Sequence, residues 1–311
     1  MIRAILNRLF GGCLAVIGAV TLVFLVLRVT PGDPADNILG DEASPAAKAE
    51  FRSQLQLDKP LHIQYELLWT QISDGSLGET YELGERRPVA EAIATVLPAT
   101  IELALAAMLV ACLLAIPFGV LAALHHGRLL DKVTMLTALL GVAIPIFWSG
   151  PVALFLFAVK WQVLPAPGAP LTGPLPLLLP ALILGTALSA KLSRLVRAAV
   201  LDVLKEDFVM TARAKGLPEG RILRSHILRN ALIPVLTVAG LQLAAVLSGA
   251  IVTEKVFARP GVGTLLLDAI VKRDYAVVQG CVIVITLAYI FVNVIVDLGY
   301  LVADPRVRSR K

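Results

Sequence analysis

The chain has 311 residues, 57% of them hydrophobic and 16% charged, with a mean hydropathy of +0.80. Soluble globular proteins carry about a quarter of charged residues, so the composition excludes an ordinary soluble domain, and several apolar runs reach the roughly 20 residues that cross a bilayer as a helix. The net charge of +5 and the pI near 9.2 do not indicate nucleic acid, because the basic residues gather at span ends and in particular loops, where they report membrane topology.

Residues 1–8 place Ile2, Ile5 and Leu6 at helical spacing, with Arg3 and Arg8 elsewhere on the surface, the pattern of an interfacial lead-in helix. A first span follows at about 9–27, apolar for too long and without the small-residue cleavage site of a signal peptide. Pro and Gly in the run from Thr30 to Asn37 then end the helix. Residues 28–96 are polar and acidic, as expected of an outer loop, with amphipathic character from Leu61 to Ile72 that suggests a small cap. The second span is expected at about 97–124, interrupted by Pro117, and the third at about 133–159, with Pro145, Trp148 and Pro151 inside it. Prolines in a span kink the helix while neighbours re-satisfy the freed carbonyls. The fourth is short, about 175–190, with Lys191 placed to snorkel. The fifth is about 231–252, the sixth about 277–302, and residues 304–311 form a basic tail.

Between the fourth and fifth spans lies the segment 191–230, with Lys191, Arg194, Arg197, Lys205, Arg213, Lys215, Arg221, Arg224 and Arg229 opposed only by Asp202, Glu206, Asp207 and Glu219. In its middle Thr211–Leu217 reads TARAKGL, followed by Pro218, a short helix stopped by Gly and then Pro. A helical, turn-bounded basic loop reads either as a docking surface or as a solvated segment held at anionic headgroups. With both termini inside, the inner segments hold seventeen Lys and Arg and the outer ones eleven, and the long acidic loop lies outside.

The sequence has no P-loop pattern and neither the zinc-protease nor the esterase signature. Cys13, Cys112 and Cys281 lie singly in apolar runs and read as packing residues. His125 and His126 are adjacent, about 100° apart on a helix, a poor metal pair that reads as a solvated inner loop. Glu102 and Asp297 are the acids within spans, both near an end; a proton-coupled carrier is expected to bury such groups deeper. Ser149, Thr237, Gly240, Gln242, Ser248 and Gly249 would either line a wet path or serve close helix packing. A secondary transporter would usually show an internal repeat, and a membrane enzyme a convergent catalytic set; neither is visible.

A series of short runs carries a resemblance along nearly the whole chain: RLF at Arg8, TPGDPA at Thr30, LDKPLHIQY at Leu57, LPATIELA at Leu97, IPIFW at Ile144, DFVMTARAKGL at Asp207, RNALIPVLT at Arg229, VFARPGVG at Val256, RDYAVVQG at Arg273 and DPRVR at Asp304. In this order and spacing they resemble the permease subunits of dipeptide, oligopeptide and nickel ABC importers. The resemblance implies an all-α polytopic membrane protein with six transmembrane helices, the type I ABC importer permease fold, in a bacterial or archaeal inner membrane with both termini cytoplasmic. It assigns the coupling helix of the "EAA" motif, which seats in the ATPase, to Thr211, Ala212, Arg213, Ala214, Lys215, Gly216 and Leu217. Met210 stands where the broad motif has Glu, and Thr211 where it has its first Ala. Small Ala212 and Ala214 would admit a partner closely, and Arg213 and Lys215 would complement an acidic cleft. Pathway-lining falls to Ser149, Thr237, Gln242 and Ser248. The implied partners are a second homologous permease subunit, two ATPase subunits that bind the ATP and Mg, an extracytoplasmic substrate-binding protein and membrane lipid. No cofactor is implied in this chain itself. Di- or oligopeptide is the expected cargo, with nickel or another small solute as the alternative, and acids of the outer loop would attract a peptide's amino terminus.

Overall fold

The computed structural model describes residues 2–40, 42–82, 85–168 and 173–303, with side chains for all of these except 2–9, 37–38, 81–82, 85, 248–249, 297 and 300–303. The basic tail 304–311 and the side chains of Ser248 and Asp297 therefore lie outside the described residues.

In chain order the elements are α1 (Ile2–Val29), α2 (Pro34–Leu39), α3 (Pro45–Gln54), α4 (Leu61–Ser73), the strands β1 (Glu79–Glu82) and β2 (Glu85–Pro88), then α5 (Val89–Leu124), α6 (Leu129–Ala143) and α7 (Ile146–Leu154), which widens into a π-helical stretch, Phe155–Lys160. There follow α8 (Leu175–Leu204), α9 (Asp207–Ala214), α10 (Glu219–Arg221), a second π-helical stretch Ile222–Leu228, α11 (Arg229–Gly249), α12 (Ile251–Val256), α13 (Val262–Lys272) and α14 (Tyr275–Ala303). Among the described residues five helical segments are long and apolar enough to cross a membrane: Phe10–Val29, Val89–Leu124, Leu175–Leu204, Glu219–Leu247 and Tyr275–Val296. A bent pair, Leu129–Ala143 with Ile146–Lys160, would make a sixth.

Several boundaries differ from the sequence reading. The lead-in and the first span are one helix, because nothing stronger than glycine interrupts the run before Pro31. The outer segment is not a loop but three short helices and an antiparallel hairpin in which Thr80 faces Arg87. Asp33 and Ser44 start α2 and α3 by accepting from Ala35 N and Ala47 N, each with proline in the first turn. α5 passes through Pro117 unbroken. Pro145 acts differently. Ile144 (φ −86°, ψ 116°) and Pro145 (φ −65°, ψ 141°) both leave the helical region, as the clash between a proline ring and the preceding residue favours. The third apolar run therefore bends by 94° rather than kinking.

The described chain divides into two compact units, Met1–Ile101 with Arg259–Ile290, and Glu102–Ala258 with Phe291–Lys311. In the first, α4 lays Leu68, Tyr65, Trp69 and Ile72 against Val20 and Phe24 of α1 and Ile283 of α14, the cap expected from its amphipathic pattern. A second cluster joins Val89 and Ile93 to Val262, Ala269, Val277 and Cys281. The loop before α13 is pinned where Val262 N donates to Thr100 Oγ1 and Arg259 Nε to Ala99 O.

In the second unit α5 and α8 cross at two glycines. A Cβ on Gly119 would stand 2.6 Å from Val196 Cβ and 2.7 Å from Ser193 O, and one on Gly185 would stand 2.6 Å from Val110 Cβ and 2.7 Å from Ala107 O. Small residues let helices approach this closely in lipid, where packing rather than the hydrophobic effect drives association. Both backbones flank each site, so neither neighbour can yield cheaply. Gly185→Leu should therefore lower stability by about 1–3 kcal/mol, measured as a fall in the melting temperature of the purified chain in detergent. An exposed change on the same helix, Leu178→Ala, should leave that temperature nearly unchanged.

Candidate coupling surface and pathway residues

The basic segment 191–230 is mostly helix. α8 continues to Leu204, because Leu192, Val196, Ala199 and Val200 repeat at helical spacing and are buried while Lys191 and Arg194 fall on other faces. From Glu219 the chain is helical again into α11. Only α9 and the turns on either side of it separate the two long helical runs.

α9 begins after Glu206, with Asp207 in its first turn facing the positive end of the helix dipole. Its end is a Schellman turn. Gly216 adopts φ +75°, its N–H donates to Arg213 O at 2.9 Å, and Leu217 N donates to Ala212 O at 3.3 Å. Ala212 and Leu217, the two residues that flank such a turn, pack into one apolar cluster with Val209, Val196, Val200, Ile222, Ile227 and Ala231. Thr211 to Ala214 thus sit in the helix, Lys215 to Leu217 in its cap.

Two roles read from the sequence change here. Ala212 does not face outward; it is 5% exposed and buried in the chain's own core, so of the two alanines only Ala214 is open to a partner. Arg213 is not a free cation, because its guanidinium holds Glu219 through Nε–Oε1 at 2.8 Å and Nη2–Oε2 at 3.3 Å. The Glu219 carboxylate raises the guanidinium above its ordinary value. The outward face of α9 instead shows Phe208 and Met210, 40% and 62% exposed, beside Thr211 and Lys215. Sequence reasoning passed over both apolar residues, although an exposed Phe and Met two positions apart in an otherwise polar segment was a visible signal.

A second feature was missed. Asp131, at the start of α6, is 4% exposed and takes Arg197 Nε at 2.6 Å and Nη2 at 2.8 Å, together with Gly127 N at 2.9 Å. His126 Nδ1 lies 2.9 Å from Arg197 Nη2. The turn after α5, read as solvated, is thereby clamped to the inner part of α8. A bidentate carboxylate–guanidinium pair with a backbone donor is among the stronger side-chain interactions.

Of the pathway residues, Ser149, Thr237 and Gln242 are joined by no hydrogen bond among the described residues. Ser149 Oγ and Thr237 Oγ1 are half-buried and donate to carbonyls of their own helices, Ile146 O and Ile233 O, both at 3.4 Å. Gly240 serves packing, since a Cβ there would stand 2.0 Å from Val296 Cγ2. Gln242 is buried, and its Oε1 has no hydrogen-bond partner. Among the described residues no group of three or more His, Cys, Asp or Glu is arranged to hold a metal ion.

Residues 115–309 match the family described as binding-protein-dependent transport system inner membrane component, and residues 1–104 match its N-terminal companion. Similar curated proteins include the di/tripeptide transport system permease protein DppB of Pseudomonas aeruginosa, 41% identical over 94% of this chain and 95% of that protein. The dipeptide transport system permease protein DppB of Escherichia coli is 39% identical with both chains fully covered. The glutathione transport system permease protein GsiC of Salmonella choleraesuis is also 39% identical, again with full coverage. Among solved structures, the inward-facing MetNI methionine ABC transporter superposes with a TM-score of 0.54 at 15% identity, covering 70% of this chain and 98% of that one. The fold is that of a type I ABC importer permease, and the chain belongs to the family of binding-protein-dependent transport system inner membrane components.

Two outcomes follow from the geometry. Asp131→Asn should cost roughly 1–3 kcal/mol, the range for losing a hydrogen bond to a charged group, and should lower the melting temperature of the purified chain. Pairing Asp131→Leu with Arg197→Met should recover part of that loss. Gly216→Ala places a Cβ in the left-handed region at a cost of about 1–2 kcal/mol, whereas Gly216→Asn, which tolerates that region, should lose less in the same melt.

Proposed function

We propose that this chain forms half of a translocation pathway for di- and oligopeptides, that it pairs with a second homologous permease subunit, and that α9 is the element on which an ATPase subunit acts. The observation that carries the coupling role is the division of α9 into two faces. Val209 and Ala212 root it in the membrane domain's own core, while Phe208, Met210, Thr211 and Lys215 face outward from a helix whose end is fixed by the Gly216 turn. A rigid, partly apolar helix on a basic segment suits a cleft in a partner better than a headgroup layer, which needs charge but no fixed shape.

The peptide cargo is supported by the names of the relatives, whose substrates are dipeptides, tripeptides and glutathione, itself a tripeptide. The excess of Lys and Arg on the segments assigned inside supports cytoplasmic termini and a cytoplasmic α9. ATP and Mg belong to two partner ATPases, in keeping with the absence of a P-loop pattern here. A substrate-binding protein delivers the peptide to the outer mouth, and closure of the ATPases draws the coupling helices together. That closure biases a two-state pore between inward-facing and outward-facing forms.

The test is reconstitution with the second permease, the ATPases and the binding protein, reading ATP hydrolysis stimulated by peptide-loaded binding protein. Burying an apolar side chain contributes about 1.5–3 kcal/mol, so Phe208→Glu with Met210→Glu should lower stimulated hydrolysis at least tenfold while the chain still inserts and melts normally. Stimulation equal to wild type would remove α9 from the coupling role. Stimulation of the wild type by nickel-loaded and not by peptide-loaded binding protein would overturn the cargo.

A further inference from the structure

The first unit holds a cleft, open on one side, of about 480 Å³, within the roughly 300–1,000 Å³ of small-molecule sites. Its walls come from the end of α1, the α3–α4 turn, α4, the start of the hairpin, and the junction of α13 with α14. The walls carry many polar side chains, and two of their donors have no partner among the described residues.

Arg273 caps α13 in the left-handed conformation, φ 57°, which turns its backbone sharply into α14. Its guanidinium lies flat on the backbone of Gly32, where a Cβ would stand 2.3 Å from Arg273 Cζ. Gly32, at φ +126°, is thus required both for its conformation and for this approach. The guanidinium is half-buried and has no carboxylate or carbonyl partner among the described residues. Gln279, one helical turn into α14, is 6% exposed, and its Nε2 has no acceptor. One buried and one half-buried donor, neither with a partner among the described residues, thus share one cavity.

Several other polar groups of the walls are already committed. Arg28 donates from Nε to Gln64 Oε1 at 2.8 Å and stacks on Phe24, and Gln64 Nε2 donates to Lys59 O and Leu57 O. Asp274 accepts from Thr80 Oγ1 and Val277 N, and burial pushes its carboxyl up. Asp74, at the exposed lip, is held below the usual carboxylate range by the Ser76 amide and so stays anionic. Unused donors within and an ionised carboxylate at the rim complement a ligand that carries an oxyanion and a cation together.

We propose that this cavity binds a small zwitterion, its carboxylate or phosphate oxygens taken by Arg273 and Gln279 and its ammonium by Asp74. The inference rests on the reading of the chain as a peptide-importer subunit, which puts the end of α1 on the outer face, where both a delivered peptide and a lipid headgroup occur. The chemistry is the same for either source, and the test separates them.

The fully assembled importer, purified in detergent and without binding protein, is titrated by equilibrium dialysis with radiolabelled alanyl-alanine. Parallel titrations use alanyl-alaninamide, which lacks the carboxylate, and dihexanoyl phosphatidylethanolamine. Binding of alanyl-alanine that weakens at least tenfold in Arg273→Gln and in Gln279→Leu, is kept within threefold in Arg273→Lys, and is absent for the amide supports a peptide site. The same variant pattern with the lipid and not the dipeptide supports a headgroup site. Wild-type and Arg273→Gln complexes that bind each ligand equally, or bind neither, overturn the proposal. Hydrolysis stimulated by peptide-loaded binding protein is read on the same preparations. If it persists while variant-sensitive binding is absent, the cavity assignment fails and the transport reading stands; if the wild type shows no stimulation, the transport reading itself fails.

Discussion

Val209 and Ala212 are buried in the same apolar cluster as Val196 and Val200 of α8, Ile222 and Ile227 of the following helical run, and Ala231 and Val235 of α11. That shared burial makes α9 part of the membrane domain rather than a tethered loop. Each fully buried Val contributes about 1.5–3 kcal/mol, so α9 cannot shift against α8 and α11 without opening a core packed as densely as any other. In the coupling role proposed for α9, a push on its outer face would reach two long helices through this shared core. Packed interfaces of this kind switch between discrete arrangements instead of deforming smoothly.

The length of α8 serves the same end. Its 30 residues span about 45 Å at 1.5 Å per residue, well beyond a hydrocarbon layer of about 30 Å. The excess stands in the basic segment, where water would otherwise fray it. The Asp131–Arg197 pair and the close crossing at Gly119 hold this extension to the turn after α5 and to α5 itself. Pro145 has the opposite effect on the neighbouring run, replacing a straight span by a 94° bend. Prolines at 117, 180 and 234 leave their helices continuous. The difference lies in the residue before the ring: Ile144 takes the extended conformation, whereas the chain before the other three stays helical.

The apolar runs were legible because a helix in lipid must satisfy its own backbone and so needs a long uninterrupted hydrophobic sequence. The Gly216–Leu217–Pro218 stop was legible because glycine takes the left-handed cap with no Cβ penalty. Three things were hidden. The continuation of α8 past Lys191 was masked by its charges, although Leu192, Val196, Ala199 and Val200 repeat at helical spacing beneath them. The hairpin at 79–88 was masked because Glu, Arg and Pro dominate its two strands, residue types that carry little strand signal, although the paired residues are neighbours in sequence. The inward turn of Ala212 depends on which side of a short helix meets the core, and a two-residue apolar pattern does not fix that. Arg213 looked free because its partner Glu219 lies across a turn whose geometry only Gly216 and Pro218 set.

The same distinction between a residue type and its commitments applies within α11 and α7. Ser149 and Thr237 spend their hydroxyls on their own helices, as such residues commonly do inside membrane helices. Gly240 spends its lack of a side chain on Val296. Gln242 keeps a buried acceptor with no donor among the described residues, at a cost of about 1–3 kcal/mol in the state described. That cost disappears in any state where this face of α11 meets water, a second subunit or a polar solute.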